Sequence, residues 1–160
     1  MIFVTLGSQK FQFDRLLQEL DRLIEAGVIT QPVFAQTGYS TYTPKHFTFE
    51  PFLDRDGFAE KMSQAELVIT HAGTGAIIGA VKKGKKVIAV PRLSKYGEHV
   101  DDHQTQIVTQ FTDMDLLEPC WEVSELEAAY RTALQKTYTA YVSNTDKIIA
   151  DLESYLERVL

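Results

Sequence analysis

The stretch ELVITHAGTGAIIGAV, residues 66–81, decides how this chain is read. Its first part, ELVITHA (66–72), is a short apolar, β-branched run with the composition of a buried strand. The segment TGAIIGAVKKG (74–84) reads as a helix that stops at Gly84. Between the two stand His71, Gly73, Thr74 and Gly75. A strand that turns directly into a helix leaves free backbone N–H groups and the positive end of the helix dipole at the turn, a ready site for an anion. Glycine at that turn lets a ligand approach the backbone, because no Cβ intervenes.

Working outward, the same alternation repeats. IFVTLG (2–7) reads as a first strand rather than a signal peptide, since it lacks a basic leader and a cleavage site. FDRLLQELDRLIEA (13–26) has apolar residues at the helical period and ends at Gly27. QPVFAQTG (31–38) and HFTFEPFL (46–53) are strands joined by the polar link YSTYTP. DRDGFAEKMSQA (54–65) is a helix, and KKVIAVPR (85–92) a fifth strand. Beyond it, 103–112 reads as a helix, LLEPCW (116–121) as a sixth strand, and VSELEAAYRTALQK as a helix with a Ser124/Glu127 capping box. Residues 144–160 form an amphipathic helix with Ile148, Ile149, Leu152, Tyr155, Leu156 and Val159 on one stripe, suited to closing the core or to docking.

Strands alternating with helices predict one α/β domain over 1–160, a Rossmann-like three-layer fold with a parallel sheet covered on both faces. Ligands of such sheets sit outside the carboxyl ends of the strands, where the strand order reverses. LGSQ, with Gly7 and Ser8, is a second glycine-bearing corner on that same edge. Two such corners together suggest a diphosphate.

Size and charge narrow the classes. The chain has 160 residues, 44% hydrophobic and 24% charged, and a net charge of −6, which argues against a nucleic-acid binder. The single cysteine, Cys120 beside Trp121, excludes an intrachain disulfide and reads as a small buried hydrophobe. Gly73, Gly75 and Gly79 loosely resemble a dinucleotide fingerprint. They follow the fourth strand instead of the first, which makes an NADP-linked reductase a poor fit. A plain tight turn is the simpler alternative. KYGEHVDDHQ (95–104) collects Glu98, His99, Asp101, Asp102, His103 and Gln104 on the carboxyl edge. It does not spell the H-E-x-x-H zinc motif, so no metal is expected. Asp102 and Gln104 at a helix start suit recognition of hydroxyl groups.

Taken together, FVTLGSQKFQFDRLL (3–17), the run from Phe49 to Arg92 and GEHVDDHQ (97–104) resemble the glycosyltransferase family 28 C-terminal domain. This is the donor half of a GT-B enzyme, and the likeness is to stand-alone donor-binding subunits of capsule and exopolysaccharide type. The resemblance implies an inverting, metal-independent transfer from a UDP-sugar, which is substrate and not cofactor, to a lipid-linked sugar. It puts galactose first as the sugar, with N-acetylglucosamine and glucuronic acid behind, and implies a membrane-anchored partner subunit that supplies the acceptor site and the base. The chain would then work at the cytoplasmic face of a membrane, peripherally, through that partner. A non-catalytic enhancer of a partner transferase is the alternative.

Carried over by position, the resemblance places Gly7 and Ser8 near the diphosphate and Phe52 and Leu53 around uracil. His71, Gly73, Thr74 and Gly75 fall at the phosphates, with His71 stabilising the leaving group. Asp102, His103 and Gln104 fall on donor-sugar hydroxyls. MurG-like relatives place a glutamate for the ribose where this chain has Gly79, so ribose recognition is expected from Glu98 or from backbone.

Overall fold

Alternate residues of the first strand face opposite ways, and that alternation builds the molecule. In the computed structural model, which describes residues 1–7, 9–140, 147, 150, 151 and 154, Ile2 and Val4 enter one buried cluster and Phe3 enters another. Side chains two apart share a face of a sheet, so a run buried throughout needs cover on both sides. Ser8 and the stripe residues Ile148, Ile149, Leu152, Tyr155, Leu156 and Val159 lie outside the described residues.

The sheet has six strands: β1 (Ile2–Thr5), β2 (Val33–Gln36), β3 (Thr48–Glu50), β4 (Leu67–His71), β5 (Lys86–Val90) and β6 (Glu118–Pro119). Their order is β3-β2-β1-β4-β5-β6 and every pairing is parallel. The helices described are α1 (Asp14–Glu25), α2 (Arg55–Gln64), α3 (Thr74–Lys82), α4 (His103–Asp113) and α5 (Leu126–Gln135).

Leu16, Leu17, Leu20 and Leu23 of α1 and Leu126, Ala129 and Ala133 of α5 cover one face, over Ile2, Val4, Ile69 and Ile88. On the other face Met62 of α2, Ile77 and Ala80 of α3 and Phe111 of α4 pack over Phe3, Val68 and Val87. The result is the expected Rossmann-like three-layer domain. Its strand order reverses between β1 and β4, which puts the crevice over those two strands.

Two local expectations are corrected. The sixth strand is two residues long, since Pro119 has no N–H to extend a ladder. The Ser124/Glu127 capping box does not form: a 3-10 turn, Val123–Glu125, leads into α5, and among the described residues no side chain caps that helix. The polar link after β2 is anchored to α1: Asp21, buried, accepts from the Tyr42 hydroxyl and from Lys45 N and His46 N, while Asp14 accepts from Thr41 N and Tyr42 N. Cys120 is buried as expected, and burial raises its thiol pKa to about 12. Among the described residues no helix is long and apolar enough to cross a membrane.

Candidate functional site

A cavity of about 570 Å³ opens at the reversal point, a size suited to a small organic ligand. Thr5 and Gly7 come from the end of β1, His71 from the end of β4, and Gly73, Thr74, Gly75 and Ala76 from the turn into α3. Leu53, Phe58 and Met62 form the apolar wall opposite.

The start of α3 is open to a ligand. Ile77 N–H is bonded to the Gly73 carbonyl, so Thr74, Gly75 and Ala76 precede the first intrahelical donor. Among the described residues no side chain caps them, and the first turn holds no acid. Three N–H groups and the positive helix end therefore meet the cavity.

The glycines at the two corners have a different first purpose from the one expected. Between Gly7 and Gly73 lies the imidazole of His71. A Cβ on Gly73 would stand 2.3 Å from Cε1, and one on Gly7 would stand 2.6 Å from Nε2. Gly7 also has φ +73°, a left-handed conformation that favours glycine. Of the glycines that line the cavity, Gly75 and Gly79 present bare backbone with nothing within 4 Å of a would-be Cβ.

His71 is 6% exposed. Burial first, then the charges of Arg92 and His99, lower its pKa to about 3, so the ring is neutral at physiological pH. Its Nδ1 lies 3.4 Å from Gln104 Nε2, and Gln104 Oε1 accepts from Arg92 N at 2.9 Å. Arg92 is itself buried, donating through Nη2 to the carbonyls of Leu6 (2.8 Å) and Phe11 (3.3 Å). Among the described residues its Nε and Nη1 have no partner. Burial lowers its pKa to about 10, opposed by Glu98, so it keeps its charge.

Of the expected site residues, the structure gathers Gly7, Leu53, His71, Gly73, Thr74 and Gly75 around the cavity. Phe52, next to Leu53, is exposed and meets Tyr39 edge to face at 5.3 Å. Glu98 stands away from the lining, fully buried, with its oxygens taken by Arg15 Nε and Nη2 at 2.9 and 3.0 Å and by Leu93 N at 3.0 Å. Asp102 accepts from Ser94 N. His103 pairs with Asp101, which His99 also contacts. Gln104 is buried and reaches the cavity only through His71. Among the described residues no group of three or more His, Cys, Asp or Glu converges as a metal centre would.

Gln36 escaped the sequence reading. Its Oε1 accepts from Thr5 Oγ1 at 3.1 Å, which turns its NH2 group toward donation, and it lines the cavity. The available signal was a polar residue ending an otherwise buried strand.

The strand order and the cavity at its reversal define a Rossmann-like α/β domain. Within that class the chain belongs to the glycosyltransferase family 28 C-terminal domain, which it matches over residues 1–158. It is similar to the UDP-N-acetylglucosamine transferase subunit ALG13 of Homo sapiens, 29% identical over 120 residues, 68% of this chain and 10% of the human protein. Against the same subunit in Mus musculus it is 38% identical over 69 residues, 40% of this chain and 6% of the mouse protein. Against that of Yarrowia lipolytica it is 38% identical over 55 residues, 34% of this chain and 26% of the yeast protein. The chain thus matches only a small part of the length of these relatives. The crystal structure of MurG from Acinetobacter baumannii shares the fold, with a TM-score of 0.58, 21% identity, and 84% of this chain and 41% of that one covered.

Proposed function

We propose that this chain is the donor-binding, catalytic subunit of an inverting, metal-independent UDP-sugar glycosyltransferase, acting with a membrane-anchored partner that holds a lipid-linked acceptor. One observation carries the reading: the uncapped start of α3 and the His71 ring meet in a single cavity at the reversal point.

In such a transfer the acceptor hydroxyl attacks the anomeric carbon from the face opposite UDP. The bond from that carbon to the β-phosphate oxygen breaks, and its electron pair stays on UDP. The N–H groups of Thr74, Gly75 and Ala76 would meet the negative charge as it grows, and a donor in place beforehand needs no reorganisation. His71 adds a neutral imidazole to that set. Gln36 offers a further donor, and the Leu53–Phe58–Met62 wall suits the flat face of a base. The proton of the acceptor hydroxyl needs a base beyond these residues, and the partner supplies it.

Family membership supports the class, and the names of the curated relatives support a subunit that handles a UDP-sugar. Galactose for capsule or exopolysaccharide synthesis is the hexose expected from the resemblance, whereas N-acetylglucosamine appears in the relatives' names. The proposed place of work is the cytoplasmic face of the membrane, through the partner.

Calorimetric titration with UDP, UDP-galactose, UDP-N-acetylglucosamine and NADPH tests the reading. UDP and one UDP-sugar should bind, and NADPH should not. NADPH binding without a UDP response would replace the proposal by a reductase. With the partner co-expressed, full transfer activity in His71→Ala would assign an accessory, non-catalytic role instead.

A further inference from the structure

We propose that Gln104 is a positioning residue: its side-chain amide holds the His71 imidazole in the Nε2–H tautomer, so the nitrogen at the glycine corner is the one that donates. The Arg92 backbone N–H can only donate. The amide atom it meets at 2.9 Å is therefore the Gln104 oxygen, and this fixes which way the amide points. The NH2 end of Gln104 then faces His71 Nδ1 at 3.4 Å. An NH2 group has no lone pair to offer, so Nδ1 must be the acceptor. In a neutral imidazole the hydrogen then sits on Nε2.

Nε2 is the ring atom 2.6 Å from where a Gly7 side chain would begin. Among the described residues it has no hydrogen-bond partner, and His71 lines the cavity. A neutral ring with Nε2–H gives an anion a donor without burying a second cation beside Arg92. The opposite tautomer would turn a lone pair toward the anion and repel it. Gln104 itself is 4% exposed, with its oxygen committed to Arg92 N. It therefore acts through His71, a role distinct from the hydroxyl contact implied by the resemblance. The interaction also crosses between connections, since Gln104 begins α4 after β5 while His71 ends β4.

The tautomer follows from this chain's own hydrogen bonds. Its catalytic consequence rests on the donor reading above. Long-range proton–nitrogen correlation NMR on the 15N-labelled chain separates the two. In the unliganded chain near neutral pH, His71 Nδ1 should carry the shift of an unprotonated nitrogen and Nε2 that of a protonated one. In Gln104→Glu a carboxylate oxygen faces Nδ1 and can only accept, so a proton should appear on Nδ1 and UDP affinity should fall about tenfold. Circular dichroism checks that this variant is folded. A wild-type chain with the proton on Nδ1 would overturn the proposal, as would a folded Gln104→Glu chain with unchanged His71 shifts. The expected tautomer with no UDP response would instead sink only the donor reading.

Discussion

The His71 ring occupies the space in which a side chain on Gly73 would begin: a Cβ there would lie 2.3 Å from Cε1 and 2.8 Å from Nε2. The imidazole has no room to give, because Gly7 bounds its other side. Gly73→Ala should therefore cost about 1–3 kcal/mol by overpacking and weaken UDP binding by about tenfold as the ring is displaced. Gly75→Ala, with open space around it, is the control. It should leave stability unchanged or raise it by up to about 1 kcal/mol, as alanine does in a helix. Urea unfolding of both variants and UDP titration of Gly73→Ala check these outcomes.

Glu98 makes a second prediction. It has no exposure and is gripped by Arg15 at 2.9 and 3.0 Å, with Leu93 N at 3.0 Å. Removing one member of such a set strands the others. Glu98→Ala should destabilise the chain by about 2–4 kcal/mol, the lower end applying because Arg15 keeps 20% of its side chain in solvent. At a temperature where the variant is folded, UDP affinity should stay within about twofold. A tenfold loss in the folded variant would instead put Glu98 in contact with the ligand.

Acid should expose the burial of His71. A base whose pKa is lowered on folding stabilises the folded state in its neutral form. That stability is complete above the unfolded value of 6.5 and is lost as the pH falls toward about 3, because the unfolded chain takes up a proton that the folded chain refuses. The charged groups acting on the ring are Arg92 and His99, and both oppose its protonation. Between pH 7 and pH 5 this single group should remove about 2 kcal/mol. Carboxylates contribute in the same direction at lower pH, so the measurement is the difference from His71→Gln. Urea midpoints of that variant should fall less steeply over this interval.

Gly79 gives the fourth test. It sits inside α3 and lines the cavity, with nothing within 4 Å of an added Cβ. Gly79→Ala should raise stability by about 0.5–1 kcal/mol through helix propensity. UDP affinity measured on the same protein reports whether the ligand needs the bare backbone there. A loss beyond about fivefold would place the ligand against Gly79, and no change would place it elsewhere along the cavity.

Much of this was legible from residue patterns because burial and periodicity are local. The apolar runs around Val4, Ile69 and Ile88 mark strands, and the leucines of α1 mark its buried face. The turn at His71–Gly75 could be placed on the carboxyl edge because alternating strands and helices leave little other choice. The site's internal wiring could not be read in this way. Gly7 and Gly73 looked like openings for a phosphate, yet they are spaces filled by a ring 64 residues from one and two from the other, a contact made only by the closed sheet. Glu98 and Gln104 are polar and near the edge, and the partners they meet, Arg15 of α1 and His71 at the end of β4, lie far off in sequence. Gln36 looked like the end of a strand and became a wall. Hydrogen-bond partners across a sheet carry no period, so composition and spacing miss them.

Arg92 and Arg15 also bear on movement. Arg92 ties the end of β5 to Leu6 and Phe11, and Arg15 ties α1 to the segment that follows β5 through Glu98. The two sides of the crevice are thus braced into one frame. Such a frame loses little freedom when it is occupied. On the proposed reading, a partner subunit would dock on a fixed platform, and its own tilt would set how far the reacting groups are closed off from water.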